Sequence, residues 1–199
     1  MNKKELIQHY EKFKPEIKNR LKEFEAIDKT NKSVLFKELV YCLLTAGTSA
    51  ELSLKTIEYI GGVIHYGTEE EIIAKLKEIY RFYNIRGNYI FLARDKFKDL
   101  DITNENIREQ LVDEIKGLGM KEASHFLRNI GFKGYAILDK HIIQCLYELN
   151  VLENNKPPKS IKHYLEIEEI MKSFSNKINI SMDELDLVLW SWKTGKVLK

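Results

Sequence analysis

The sequence predicts an all-α protein. Three observations carry this. Apolar residues recur at helical spacing through most of the 199 residues, strand-like alternation is weak, and only three prolines occur, Pro15, Pro157 and Pro158. Small polar residues and glycines also fall where helices of that spacing should begin and end.

The elements follow in order. Residues 5–27 read as one amphipathic helix with Leu6, Tyr10, Phe13, Ile17, Leu21 and Phe24 on its stripe. Residues 33–46 are so apolar that their helix is expected to be buried, and Gly47 ends it. Thr48-Ser49-Ala50-Glu51 fits a capping box for the next helix, which stops at Gly61-Gly62. Two more helices are expected around 68–83 and 86–97. Thr103 is placed to cap another that runs to Lys116, and Gly117-Leu118-Gly119 is a tight turn. A helix then covers about 120–130, closed by Gly131. Asp139 is placed to cap a helix to Leu149, and the loop over 154–158 is the nearest candidate for a boundary. Helices around 161–174 and 182–192 end the fold, the second opened by the capping pattern Ser181-Met182-Asp183-Glu184.

Composition narrows the class. Hydrophobic residues make up 44% and charged residues 31%, which suits a folded chain with a real core, in one large domain or two small lobes. A formal net charge of +2 does not announce nucleic acid, so any DNA-binding surface must come from local clustering. Cys42 and Cys145 lie far apart and cannot form a four-cysteine zinc or iron–sulfur site; they read as buried thiols of a reducing compartment. The first residues lack an apolar leader and no run is long enough to span a bilayer. The expectation is a cytoplasmic protein with no membrane partner.

Chemistry concentrates in Ile115-Lys116-Gly117-Leu118-Gly119-Met120-Lys121-Glu122-Ala123. This is helix, Gly-x-Gly, helix. Glycines permit positive φ and close approach, and the free N–H groups at the second helix start suit a DNA phosphate. Lys121 sits in the first turn, where the helix dipole disfavours a cation. If it is also partly desolvated, its pKa falls and the neutral amine becomes a nucleophile. Asp139 follows 18 residues later (139 − 121) in Leu138-Asp139-Lys140-His141. It could take the released proton or stabilise positive charge on a sugar ring. Local physics alone favours the plainer readings, Lys121 as an exposed residue touching phosphate and Asp139 as an ordinary N-cap.

These residues resemble the helix-hairpin-helix superfamily of DNA glycosylases. Its signature is Leu/Ile-x-Gly-x-Gly-x-Lys-x-Ala followed by apolar-Asp-x-His. The resemblance implies a two-lobed helix-hairpin-helix DNA glycosylase fold with the active site in the cleft between lobes. Residues 1–199 then form a single glycosylase domain, divisible into two helical lobes, with the hairpin at 105–130. By the same match Lys121 is the Schiff-base lysine and Asp139 the essential aspartate, while His141 joins Gly117 and Gly119 as a backbone-phosphate contact. Without a cysteine cluster the chain departs from the endonuclease III branch, and it is too short and helical for the eukaryotic type with its extra β-domain. It is similar instead to the compact archaeal-type 8-oxoguanine glycosylases, the second family, which end in a Trp-containing helix and a terminal lysine. Trp190, Trp192, Lys199 and the segment Arg81-Phe82-Tyr83 with Arg86 carry that likeness.

Phe82 lies off the stripe Leu76, Ile79, Tyr80, Tyr83, and Trp190 off the stripe Leu185, Val188, Leu189, Trp192. Such aromatics ordinarily pack on a neighbour, but an extruded base needs flat apolar walls, which makes both candidates for that sandwich. In the resembled family the terminal lysine helps read the purine through its carboxylate, a role that falls here on Lys199. The implied function is a bifunctional glycosylase/AP lyase that excises 8-oxoguanine through a lysine Schiff base followed by β-elimination. Its partner is double-stranded DNA containing 8-oxoguanine, it needs no metal or organic cofactor, and a monomer is expected. The alternatives are the same chemistry on another damaged base, such as an oxidised pyrimidine, and a non-enzymatic helix-hairpin-helix DNA-binding module.

Overall fold

The computed structural model describes residues 1–199, and all its regular structure is helical. Eleven helices divide into two compact units, one made of residues 1–26 and 127–199, the other of residues 27–126. No helix is long and apolar enough to cross a membrane.

The first unit begins with α1 (Lys3–Glu25). Its start was expected at residue 5, but Asn2 caps it two residues earlier: Asn2 Oδ1 accepts the Glu5 N–H at 3.0 Å and Glu5 Oε2 accepts the Asn2 N–H at 2.7 Å. The unit continues with α9 (Lys140–Glu148), α10 (Ile161–Ile178) and α11 (Met182–Thr194). The capping box expected at Ser181 and Glu184 is present, and Gly195 ends α11 at φ 75°. Leu6 and Ile17 of α1, Cys145 and Leu146 of α9, Met171 of α10 and Leu185, Val188 and Leu189 of α11 are fully buried. Each buried aliphatic chain of this kind contributes about 1.5–3 kcal/mol. Tyr10 Oη donates to Glu184 at 3.0 Å and His9 Nε2 lies 2.9 Å from Ser191 Oγ, so polar contacts also fix α1 on α11. The single stripe expected for α11 is too narrow. Residues 185–189 are buried all round, because α11 packs against α1, α9 and α10 together.

The second unit contains α2 (Lys32–Thr45), α3 (Ala50–Ile60), α4 (Val63–Tyr66), α5 (Glu69–Lys77), α6 (Tyr83–Asp99) and α7 (Ile107–Glu114). The expected burial of α2 holds from Leu35 to Leu44, with only Lys37 exposed. Two capping expectations shift. The cap of α3 is Ser49, which accepts the Leu52 N–H at 3.1 Å, while the Thr48 hydroxyl donates back to Leu44 O at 2.8 Å. Thr103 caps nothing: its N–H and hydroxyl donate to Asp101 Oδ1 at 2.9 and 2.7 Å in a local turn, and α7 starts four residues later. The helix expected over 68–83 is also broken. The chain turns between Lys77 and Tyr83, and buried Tyr80 sends its hydroxyl to Leu44 O at 2.5 Å. That bond satisfies a carbonyl at the end of α2, a tertiary demand that local periodicity cannot register.

The hairpin joins α7 to α8 (Met120–Asn129), and α8 runs across the division between the units.

Candidate active site

The hairpin turn is built on Gly117. Its φ of +93° belongs to the left-handed region, and a Cβ there would lie 2.2 Å from Tyr89 Cδ2. The Tyr89 ring of α6 therefore packs directly against turn backbone. Leu118 N–H bonds to Ile115 O at 3.1 Å, and Ala123 N–H bonds to Gly119 O at 2.9 Å, which starts α8. The Gly119 N–H, expected as a phosphate donor, is already taken: it donates to Glu122 Oε2 at 3.3 Å. The N–H groups of Met120, Lys121 and Glu122 precede the first intrahelical bond and form the open end of the helix dipole.

Lys121 does lie away from the buried face formed by Ala123, Phe126, Leu127 and Ile130. It is not a lone cation against the dipole, however. Its Nζ lies 2.9 Å from Glu122 Oε1, with the lysine side chain 28% and the glutamate 13% exposed. One carboxylate thus serves both the helix start and the ammonium. From Ala123 onward α8 is buried all round, including Ser124, His125, Arg128 and Asn129.

Asp139 is the N-cap of α9, as expected. Its extended backbone (φ −84°, ψ 175°) lets Oδ1 accept the His141 and Ile142 N–H groups, each at 2.8 Å. Both bonds fall on Oδ1, so the cap does not use Oδ2. The segment before it is held by α10. Tyr164 Oη donates to Ala136 O at 2.5 Å and accepts from Leu138 N–H at 3.3 Å, while Glu168 Oε2 accepts the Ala136 N–H at 2.8 Å. Sequence reasoning missed both residues, since contacts 26 to 32 positions apart leave no local pattern.

A second layer fixes α9 on α11. Cys145 Sγ donates to Leu189 O at 3.6 Å, and burial pushes its thiol up to about 12, so it is a packing residue and no nucleophile. Glu148 at the far end of α9 accepts from Lys193 of α11 at 2.7 Å. The Lys193 ammonium, then Gln144, hold its carboxyl down at about 2.

A family model described as Ogg-HhH, 8-oxoguanine DNA glycosylase, matches residues 17–180. The chain belongs to this glycosylase family. It is 43% identical over 190 residues to the 8-oxoguanine DNA glycosylase/AP lyase of Methanocaldococcus jannaschii, covering 92% of this chain and 91% of that one. It is similar to the crystal structure of the Methanocaldococcus jannaschii 8-oxoguanine glycosylase/lyase in complex with a 15mer DNA containing 8-oxoguanine, at a TM-score of 0.90, with 40% identity and 98% and 99% of the two chains covered. The 8-oxoguanine DNA glycosylase of Thermotoga maritima superposes at a TM-score of 0.92, with 35% identity and 98% and 97% covered. The all-α helix-hairpin-helix architecture expected from the sequence is that of these glycosylases.

Placed on that fold, the candidate residues fall into two sets. Gly117, Gly119 and Lys121 share the hairpin of the second unit, which also holds Phe82. Asp139 and His141 share the start of α9 in the first unit, and α9 packs on α11, which carries Trp190. Phe82 is not on the helix assumed for it. It precedes α6 at φ −99°, ψ 36°, half-buried, with its ring 3.4 Å from where a Gly47 Cβ would stand and 6.4 Å edge-on from Tyr80. Phe82 therefore belongs to no helix stripe, and the Arg81 guanidinium carbon lies 5.1 Å from its ring centroid. Trp190 is half-buried. The C-terminal tail is anchored by Val197, which is 2% exposed, and Lys199 itself is half-buried.

Proposed function

We infer that this chain is a bifunctional 8-oxoguanine DNA glycosylase/AP lyase that acts on double-stranded DNA as a monomer. The observation that carries the reading is Lys121 in the first turn of α8, directly after a glycine hairpin, in a chain matched along nearly its whole length by glycosylase/AP lyases. The damaged guanine is extruded, at a cost of a few kcal/mol, and stacks between Phe82 and Trp190, with the Lys199 carboxylate reading the purine edge. The amides at the start of α8, with Gly117 and His141, hold backbone phosphates.

Lys121 Nζ, once it has lost a proton, forms a bond to C1′. The bond from C1′ to the base nitrogen breaks, and its electron pair leaves with the base, which takes up a proton. Asp139 stabilises the positive charge that develops on the sugar, with Oδ1 fixed by two backbone donors. Ring opening leaves a protonated Schiff base on Lys121. Removal of the C2′ proton then pushes electrons toward C3′, and the C3′–O bond to the phosphate breaks.

Borohydride trapping on a duplex with one 8-oxoguanine opposite cytosine tests this. A covalent band for wild type that disappears in Lys121→Ala is expected. A band only with an oxidised pyrimidine or an abasic site would move the substrate and keep the chemistry. Duplex binding without a band on any of these would leave a DNA-binding module.

A further inference from the structure

One aromatic ring beside the hairpin holds two cations that no carboxylate neutralises. Lys116 Nζ lies 5.6 Å from the centroid of Tyr89, and the Arg86 guanidinium carbon also lies 5.6 Å from it. Arg86 is in the opening turns of α6, a helix with no acidic residue in its first turn, and Lys116 is in the hairpin turn itself. Arg86 is half-buried: it donates to Ala46 O at 3.0 Å and hydrogen-bonds the Tyr80 hydroxyl, and its Nε is buried, which leaves two of its five N–H groups for an anion. Lys116 is exposed and makes no hydrogen bond or ion pair. Elsewhere on the surface the lysines and arginines at 14, 20, 98 and 172 each pair with a carboxylate one helical turn away. Holding two like charges on one ring costs free energy unless an anion joins them, and a cation–π contact returns only about 0.5–1 kcal/mol at an exposed site.

The same ring sets the turn. Tyr89 fills the space a Gly117 side chain would need, so the conformation of the hairpin and the position of both cations depend on one packing contact. We propose that Tyr89 is a platform that presents Arg86 and Lys116 together to the DNA backbone, forming a phosphate-binding site separate from the helix-start amides of the hairpin. The site takes a phosphodiester as an anion and does not read bases. It contributes register and affinity on any duplex, damaged or intact. The inference rests on the DNA-repair reading above.

Binding to a lesion-free duplex, measured across a series of salt concentrations, tests it without any excision step. Each lost phosphate contact lowers the slope of log affinity against log salt by about 0.9. Removing both cations of this one site, in Arg86→Gln with Lys116→Gln, is therefore expected to flatten the slope by about 0.9, and Lys116→Gln alone flattens it by no more than that. Lys116→Arg should keep the wild-type slope. Tyr89→Phe should behave as wild type, whereas Tyr89→Leu should weaken affinity several-fold at an unchanged slope, because the charges remain but are no longer held. Slopes equal to wild type in Lys116→Gln and in the double variant, while wild type itself binds steeply, would overturn the site. A wild type whose binding ignores salt overturns the DNA reading itself, a result that no variant comparison can mimic.

Discussion

Arg128 Nη1 lies 2.8 Å from Asp186 Oδ2, and each side chain is only 5% exposed. The same guanidinium stands 5.1 Å from the Phe24 ring centroid, so one residue ties the end of α8 to α11 and to α1. Burial pushes the Asp186 carboxyl up to about 7; Arg128 pulls the other way, and Asp139 and Asp183 add to the rise. The pair is therefore strongly dependent on its cation. Arg128→Met is expected to destabilise the protein by about 3–5 kcal/mol, since Asp186 must then either remain as an unpaired buried charge or take up a proton, and in both cases loses its bond to the guanidinium. Urea unfolding at neutral pH checks this. A loss below about 1 kcal/mol, the range of an exposed pair, would show that the site relaxes or takes in water.

The observed cap of Asp139 and its proposed role in excision can be separated by substitution. Asparagine is as good an N-cap as aspartate, because its side-chain oxygen can accept the same two N–H groups. Asp139→Asn should therefore melt close to wild type yet lose most single-turnover excision, since it keeps the cap and removes the charge. Asp139→Ala should lose about 1 kcal/mol as well. An Asn variant with wild-type turnover would confine Asp139 to capping.

Helix existence was legible in the sequence where a local device announces it. The Ser181–Glu184 box and the Asp139 cap are sequence patterns, and both are present at the expected positions. The misses have a common cause. The break after Lys77 follows from the bond between Tyr80 and Leu44 O, and the loop before Asp139 is held by Tyr164 and Glu168, all distant in sequence. Lys121 lies in the first turn of α8, as the glycine pattern predicts, but its contact with Glu122 has no local signature. Adjacent side chains do not face each other in a regular helix, so Glu122 was no candidate. In the first turn the glutamate bends back to the Gly119 N–H, and that brings its other oxygen to the lysine.

Glu148 sets an acid-sensitive contact between α9 and α11. Its pKa in the folded protein is about 2, against 4.5 for the free side chain, because Lys193 and Gln144 bond to the ionised form. A depressed folded pKa means that the stabilisation is complete above 4.5 and is lost as pH falls through 2. Glu148→Gln should therefore lower stability at neutral pH by about 0.2–1 kcal/mol, as for a partly exposed pair, and shrink that difference between pH 4.5 and 2. Denaturant midpoints at neutral pH and near pH 3 give the comparison. A difference that does not change with pH would mean that the glutamate acts through packing alone.

Gly117 and Gly119 lie two residues apart and should respond differently to the same methyl group. At Gly117 the backbone is left-handed, and the new Cβ would meet Tyr89 at 2.2 Å, so turn, ring or both must move. At Gly119 the nearest atom is Glu122 Oε2 at 3.3 Å, the tip of a side chain that can swing away. Gly117→Ala is expected to cost about 1–3 kcal/mol of stability and to weaken duplex binding, because the strain falls on the turn to which phosphate binding is assigned in the proposal. Gly119→Ala should cost less and leave most of the affinity. Melting and binding measured on both variants decide the matter: equal losses at the two positions would show that glycine is needed there for close approach to DNA and not for the shape of the turn.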